Sequence, residues 1–128
     1  MTNYQPLFGR GALNVEYAQY FTGDSYLQFL ASQEAVSVNS VTFKPKARND
    51  WHIHHDGFQI LLVTDGEGWY QAEGHLPQKL KKGDVVSIDA GIKHWHGATK
   101  DSWFTHVAIG KGTTVWLESV NDELYNQL

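Results

Sequence analysis

Seven histidines and five tryptophans occur among the 128 residues, and most of them fall between Trp51 and His106. In Trp51-His52-Ile53-His54-His55 two imidazoles are separated by a single residue. Side chains alternate along a β-strand, so His52 and His54 share one face and His55 takes the other. Two imidazoles on one face can chelate one cation. Gln59 lies five residues past His54, after Asp56-Gly57, a pair able to turn the chain. His94 stands far downstream, just beyond Ala90-Gly91-Ile92-Lys93, and an antiparallel strand can bring it opposite the first two. Imidazole and oxygen donors of this kind suit Mn, Fe, Ni or Zn without choosing among them. With a carboxylate as the oxygen donor, part of a dication's charge would be neutralised. With Gln59 all four donors are uncharged, so the ion stays a harder Lewis acid toward a substrate atom or bound water. On an octahedral ion such a set leaves about two positions open for chemistry.

A further layer of residues surrounds this set. His96, two residues past His94, faces the same way on a regular strand, and otherwise reads as an edge residue. His106 shares parity with Phe104 and Ala108 and reads as a pocket histidine or a satisfied core one. Asn39 and Val41 share parity on the strand preceding His52 and are expected to line the same pocket. His55 and His75 are assigned off-face and to a loop. The tryptophans are expected in packing, and Arg48 and Asp50 as a local ion pair.

Positioning such residues calls for strands. Val, Thr and Phe are enriched over 35–43, an apolar strand is expected over 58–63, and Asp65-Gly66-Glu67-Gly68 reads as a turn into a hairpin partner at 69–73. Lys81-Lys82-Gly83-Asp84 is a turn before 85–88; a stretch begins near His94; 103–109 is a long strand, and Gly110-Lys111-Gly112 turns into 113–117. Asn121 can cap a short final helix, with Asp122 and Glu123 in its first turn and Leu124 and Leu128 on one face. Short strands at roughly 8–12-residue spacing with glycine turns imply an antiparallel sandwich or barrel. One domain is expected over 1–128: N-terminal arm or strands at 1–34, barrel at 35–117, and helix at 118–128.

Composition narrows the function classes. Ten Lys and Arg against fourteen Asp and Glu give a formal net charge of −4, which argues against nucleic-acid or anionic-membrane partners. The absence of cysteine removes disulfides, thiolate metal sites, iron–sulfur clusters and Cys nucleophiles. No apolar run approaches the roughly 20 residues needed to span a bilayer. Residues 1–10 have neither a basic nor an apolar leader region, so a cytoplasmic protein acting on a small molecule is expected.

The spacings resemble the two cupin motifs. His52-x-His54, four residues, Gln59, six residues and Gly66 follow the metal-binding part of G-x5-H-x-H-x3-4-E-x6-G, with Lys46 at the leading glycine and Gln59 at the glutamate. Gly83, five residues, Asp89, Ala90, Gly91, two residues and His94 follow G-x5-P-x-G-x2-H-x3-N, with Asp89 for Pro and Ala98 for Asn. The resemblance implies an all-β double-stranded β-helix, or jelly-roll barrel, with a short C-terminal helix. The segments Trp51-His52-Ile53-His54, Gly66-Glu67-Gly68-Trp69, Lys93-His94-Trp95-His96-Gly97-Ala98 and Thr105-His106-Val107-Ala108-Ile109 are further similar to small bacterial manganese cupins with (R)-selective hydroxynitrile lyase activity. They also resemble cupins associated with carboxymuconolactone decarboxylases. The similarity runs over about 36–126. It implies His52, His54, Gln59 and His94 as metal ligands, manganese as the ion, and His106 in catalysis, with His96 as a second candidate to move a proton. Against that pattern, Asn39 replaces a small pocket residue, Gly110 stands where a Gln is usual, and one extra residue separates His54 from Gln59. The family habit and the aromatic N-terminal region point to a homodimer or higher homo-oligomer. The expected activity is a metal-dependent lyase acting on a small hydroxy or carbonyl compound. The alternatives are a metal-dependent dioxygenase, a uronate-converting or decarboxylase-like cupin, or a non-catalytic binder of small ligands.

Overall fold

The computed structural model describes residues 4–128. Its strands, in chain order, are β1 (Ala12–Leu13), β2 (Phe21–Thr22), β3 (Ser25–Gln33), β4 (Val36–Phe43), β5 (Arg48–Asn49), β6 (His52–Ala72), β7 (Gln78–Lys81), β8 (Val85–Asp89), β9 (His94–Ala98) and β10 (Phe104–Trp116), followed by helix α1 (Asp122–Asn126). They form one curled sheet in the order β1-β3-β4-β10-β6-β9-β5-β2, with β7 and β8 both paired to β6. This is the all-β jelly-roll barrel with a short C-terminal helix that the motifs imply. Among the described residues no helix is long and apolar enough to cross a membrane.

Two of the expected turns are absent, for one physical reason. Asp65-Gly66-Glu67-Gly68 does not end a strand: β6 runs unbroken through it, and its far end pairs with β7 (Trp69 opposite Lys79) instead of folding back on 58–63. Gly66 takes φ +73 and lies so close to the Trp103 carbonyl that a Cβ would sit 1.8 Å from that oxygen. Likewise Gly110-Lys111-Gly112 is not a turn but a register shift inside β10, where Gly112 has φ +104. In both places a left-handed glycine that a hairpin turn could use stands inside a long strand, Gly66 paired opposite Phe104 and Gly112 at the register shift.

The β3–β4 hairpin reverses at Glu34 and Ala35, both at positive φ (49° and 68°), the geometry of a two-residue turn without glycine. Lys46, at the leading glycine of the first motif, keeps that position's left-handed backbone (φ 75°).

One apolar core fills the barrel around Phe43, Leu61, Val63, Leu80, Ile88 and Phe104. A second, smaller cluster joins Trp95 to Val120 and Tyr125 of the C-terminal segment. Asn121 caps α1 as expected, its side chain accepting from the Glu123 and Leu124 amides. The residue that α1 buries, however, is Tyr125, whose hydroxyl donates to the Ala98 carbonyl (2.6 Å). Arg48 lies 4.2 Å over the Tyr125 ring and pairs with Asp122, not with Asp50, so the buried guanidinium ties the helix to the barrel.

Candidate metal centre

Strand register brings the scattered histidines together. His52 opens β6 and stands beside His94 at the start of β9. His54 lies opposite Thr114 and Gln59 opposite Gly110 on β10. His54 and Gln59 are an odd number of residues apart, which on a regular strand would put them on opposite faces. The shift between Lys111 and Thr113 breaks that alternation: Asp56 takes φ 57°, a Cβ on Gly112 would meet the His55 carbonyl at 2.2 Å, and Gln59 returns to the His54 side. Gln59 Oε1 lies 3.0 Å from His54 Nε2 and 3.3 Å from His94 Nε2. The ligand atoms available on His52, His54 and His94 all lie within 4.8 Å of one another. These three histidines could hold a metal ion. His55, by contrast, is exposed.

The hydrogen bonds orient the rings for that task. His52 Nδ1 donates to the Asp50 carbonyl (2.8 Å) and His94 Nδ1 to the Ile92 carbonyl (2.8 Å). A carbonyl only accepts, so in each neutral ring Nε2 is the bare nitrogen. Thr114 Oγ1 lies 3.2 Å from His54 Nδ1 and, being a hydroxyl, can either donate to that nitrogen or accept from it. His94 Nε2 thus points a lone pair toward the amide oxygen of Gln59 3.3 Å away, an arrangement that a cation relieves. Three imidazoles and an amide oxygen converging in this way are a donor set that fits a divalent ion.

Burial keeps the rings neutral. It pushes His52 well below the ordinary imidazole value, reinforced by His94; it lowers His54; and it takes His94 down to about 4. His96 is driven well below the ordinary value by burial and by its histidine neighbours, and His106 falls to about 3 by burial. The sign of the consequence follows. An unfolded chain takes up protons near pH 6.5, while the folded one refuses them until about pH 4 or below for His94 and His106. Stability of the metal-free protein is therefore complete above pH 6.5 and drains as pH falls toward 4. Urea midpoints of chelator-treated protein should drop between pH 8 and pH 5; midpoints that stay level or rise would contradict this burial.

A cavity of about 760 Å³ opens onto this cluster. His52, His54, Gln59, His96 and His106 line it, as do the expected wall residues Asn39, Val41 and Gly110. His94 is fully buried behind the lining and reaches the cluster through Nε2. His96 is not an edge residue: it is 3% exposed, and its Nδ1 lies 3.0 Å from His106 Nε2.

Other residues of the site carry no spacing signal. Asn49 and Thr114 contact the histidines, Phe21 and Leu27 form an apolar wall, and Trp116 packs against His52 (centroids 4.8 Å apart) besides lining the cavity. Glu16 and Tyr17 from the N-terminal segment also reach the cavity. Thr114 becomes predictable only once the β6–β10 register is known.

Known proteins share this architecture. The chain is 44% identical over 118 residues, 86% of its length and 88% of the relative's, to (R)-mandelonitrile lyase of Granulicella tundricola. A cupin-like protein of Thermotoga maritima superposes with a TM-score of 0.86 at 40% identity, covering 94% of this chain and 95% of the other. The DMSP lyase DddQ of Ruegeria pomeroyi shares the fold alone, with a TM-score of 0.64 at 19% identity over 88% of this chain and 59% of that one. The cupin domain family matches residues 39–117, the stretch that holds all three clustered histidines, Gln59 and their barrel, and the chain belongs to that family.

Proposed function

We propose that this cupin is a metal-dependent lyase that splits small cyanohydrins into an aldehyde and hydrogen cyanide. The observation that carries the reading is the adjacency, in one cavity, of an uncharged four-donor cluster and a second pair of neutral histidines, His96 and His106. Its likeness to a mandelonitrile lyase along most of the chain supports the reaction class.

His52, His54, Gln59 and His94 would hold the ion, with manganese as the first choice. When bound, a divalent ion there supplies Lewis acidity undiminished by any carboxylate. The chain's own residues do the rest. Neutral His106, aided by His96, accepts the substrate's hydroxyl proton. The O–H electron pair becomes the carbonyl π bond, the C–CN bond breaks, cyanide departs with that bond's electrons, and the proton is returned to it as HCN. Phe21, Leu27 and Val41 receive the apolar substituent and keep water from the reacting carbon. Asn39 and Gly110 shape the same wall and adjust which substituents fit.

Protein reconstituted with manganese and given racemic mandelonitrile should release benzaldehyde, consume the (R)-enantiomer first, lose activity on chelation, and regain it when manganese returns. Turnover unaffected by chelation would refute the metal's part. Tight binding without conversion would make this a non-catalytic cupin, and oxygen uptake during turnover would move it to the oxygenases.

A further inference from the structure

Four stretches of chain meet at one lysine beside the metal cluster. Lys93 stands immediately before His94, and Trp51 immediately before His52. Glu73 follows the last residue of β6, and Glu118 lies just beyond the end of β10. Where these stretches come together, the Lys93 ammonium lies 2.7 Å from a Glu118 carboxylate oxygen, 3.2 Å from one of Glu73 and 5.4 Å from the centre of the Trp51 ring. Its side chain is 22% exposed, although a lysine ordinarily projects into water. The main chain repeats the pattern. The Glu73 amide donates to the Lys93 carbonyl (2.8 Å), the Trp51 amide to the Glu118 carbonyl (2.9 Å) and the Leu117 amide to the Trp51 carbonyl (2.8 Å). Just inside this junction the His52 and His94 rings lie 4.2 Å apart, centre to centre. The strands that carry them are joined by an irregular ladder. His94 pairs with both ends of β6, at His52 and at Ala72, and the register shifts at every step from Gly68 to Ala72. Such pairing fixes two strands less firmly than a regular ladder does, which leaves part of the task to side chains.

We propose that Lys93 is a positioning residue for the metal site: by gathering Glu73, Glu118 and Trp51 around its ammonium, it clamps the starts of β6 and β9 together and sets the separation of His52 and His94 before an ion binds. The ion-binding half of this inference rests on the ligand assignment above; the clamp between the strands does not. The role carries a sign that charge alone does not share. A positive charge near a cation site opposes the cation, so its removal by itself would tighten binding. Removing a clamp weakens binding, because the incoming ion must then order its own ligands.

Lys93→Met separates the two, with manganese as the probe and the free ion followed by electron paramagnetic resonance. At low ionic strength the manganese Kd of K93M should rise roughly threefold to tenfold over the parent, a modest factor because the contacts are partly exposed. In about 1 M NaCl, where the parent's ion pairs are screened, the gap should narrow. Lys93→Arg, which keeps the charge and can lie over the same ring, should restore the parent Kd. Amide hydrogen exchange of the metal-free proteins gives a readout independent of any ion: Trp51, Glu73 and Leu117 should exchange several-fold faster in K93M, with Phe104 in the core unchanged. An equal or lower Kd in K93M would overturn the positioning role, as would a lower urea midpoint with parent-level Kd. Should K93M fail to fold, Lys93→Gln must show the same weakening, and a parent-level Kd there would refute the proposal. A parent protein that binds no manganese would count against the ligand assignment, and exchange then decides the clamp by itself: unchanged rates at Trp51, Glu73 and Leu117 would overturn it.

Discussion

Replacing His94 with alanine should strip the protein of its bound metal and lower mandelonitrile cleavage by about 10³-fold or more, the rate equivalent of several kcal/mol of Lewis-acid stabilisation. His94 is the ligand candidate best fixed by its surroundings. It is fully buried, donates from Nδ1 to the Ile92 carbonyl, and presents Nε2 to the Gln59 oxygen. Trp95, next in the chain, turns to the opposite side of β9 and packs with Val120 and Tyr125. The His94→Ala protein should still fold, because the cluster gains no apolar burial from an imidazole that must be desolvated to sit there. Elemental analysis after dialysis, paired with circular dichroism, reads both halves. A folded His94→Ala protein retaining stoichiometric metal and parent activity would remove His94 from the site.

Changing His106 to glutamine should give the opposite pattern: full metal content and a kcat lowered about 10²–10⁴-fold, the usual contribution of a positioned acid–base group. His106 is fully buried at the cavity wall between Phe43 and Phe104, with ring centroids 5.6 and 5.5 Å away, and none of its contacts reaches the ligand candidates directly. Glutamine keeps a polar group within reach of His96 but has no basic ring nitrogen to accept the substrate's hydroxyl proton during turnover. Steady-state kinetics with a metal assay on the same sample separates this from a ligand defect. Parent-level kcat in His106→Gln would transfer the proton-moving role to another group, and loss of metal would merge His106 with the ligand cluster.

The sequence declares some of this architecture openly. The alternation in His52-Ile53-His54 places two imidazoles on one face whatever strand they occupy, and His94-Trp95-His96 does the same while sending Trp95 to the far side. Those features depend only on the two-residue period of a strand. Asn39 and Val41 reach the cavity by the same rule. What could not be read depends on long-range register. Gln59 has the wrong parity for His54 until the bulge at Asp56 and Gly112 corrects it, and a glycine pair looks alike as a bulge or a turn. The same ambiguity explains why β6 and β10 are each longer than their local signals suggest. Asn49 and Thr114 are unremarkable polar residues whose importance arises from what β9 and β10 place against them. Tyr125 displaced Leu124 as the anchor of α1 because Arg48 and the Ala98 carbonyl give its ring and hydroxyl a buried partner each.

The account depends on one coordination centre, and anomalous diffraction from crystals of the manganese-loaded protein, recorded on both sides of the metal's absorption edge, locates it directly. A single strong peak bonded to Nε2 of His52, His54 and His94 and to Oε1 of Gln59, at roughly 2.0–2.3 Å from each, is the predicted result. A peak elsewhere on the molecule, or none in protein that elemental analysis shows to carry the ion, would contradict it.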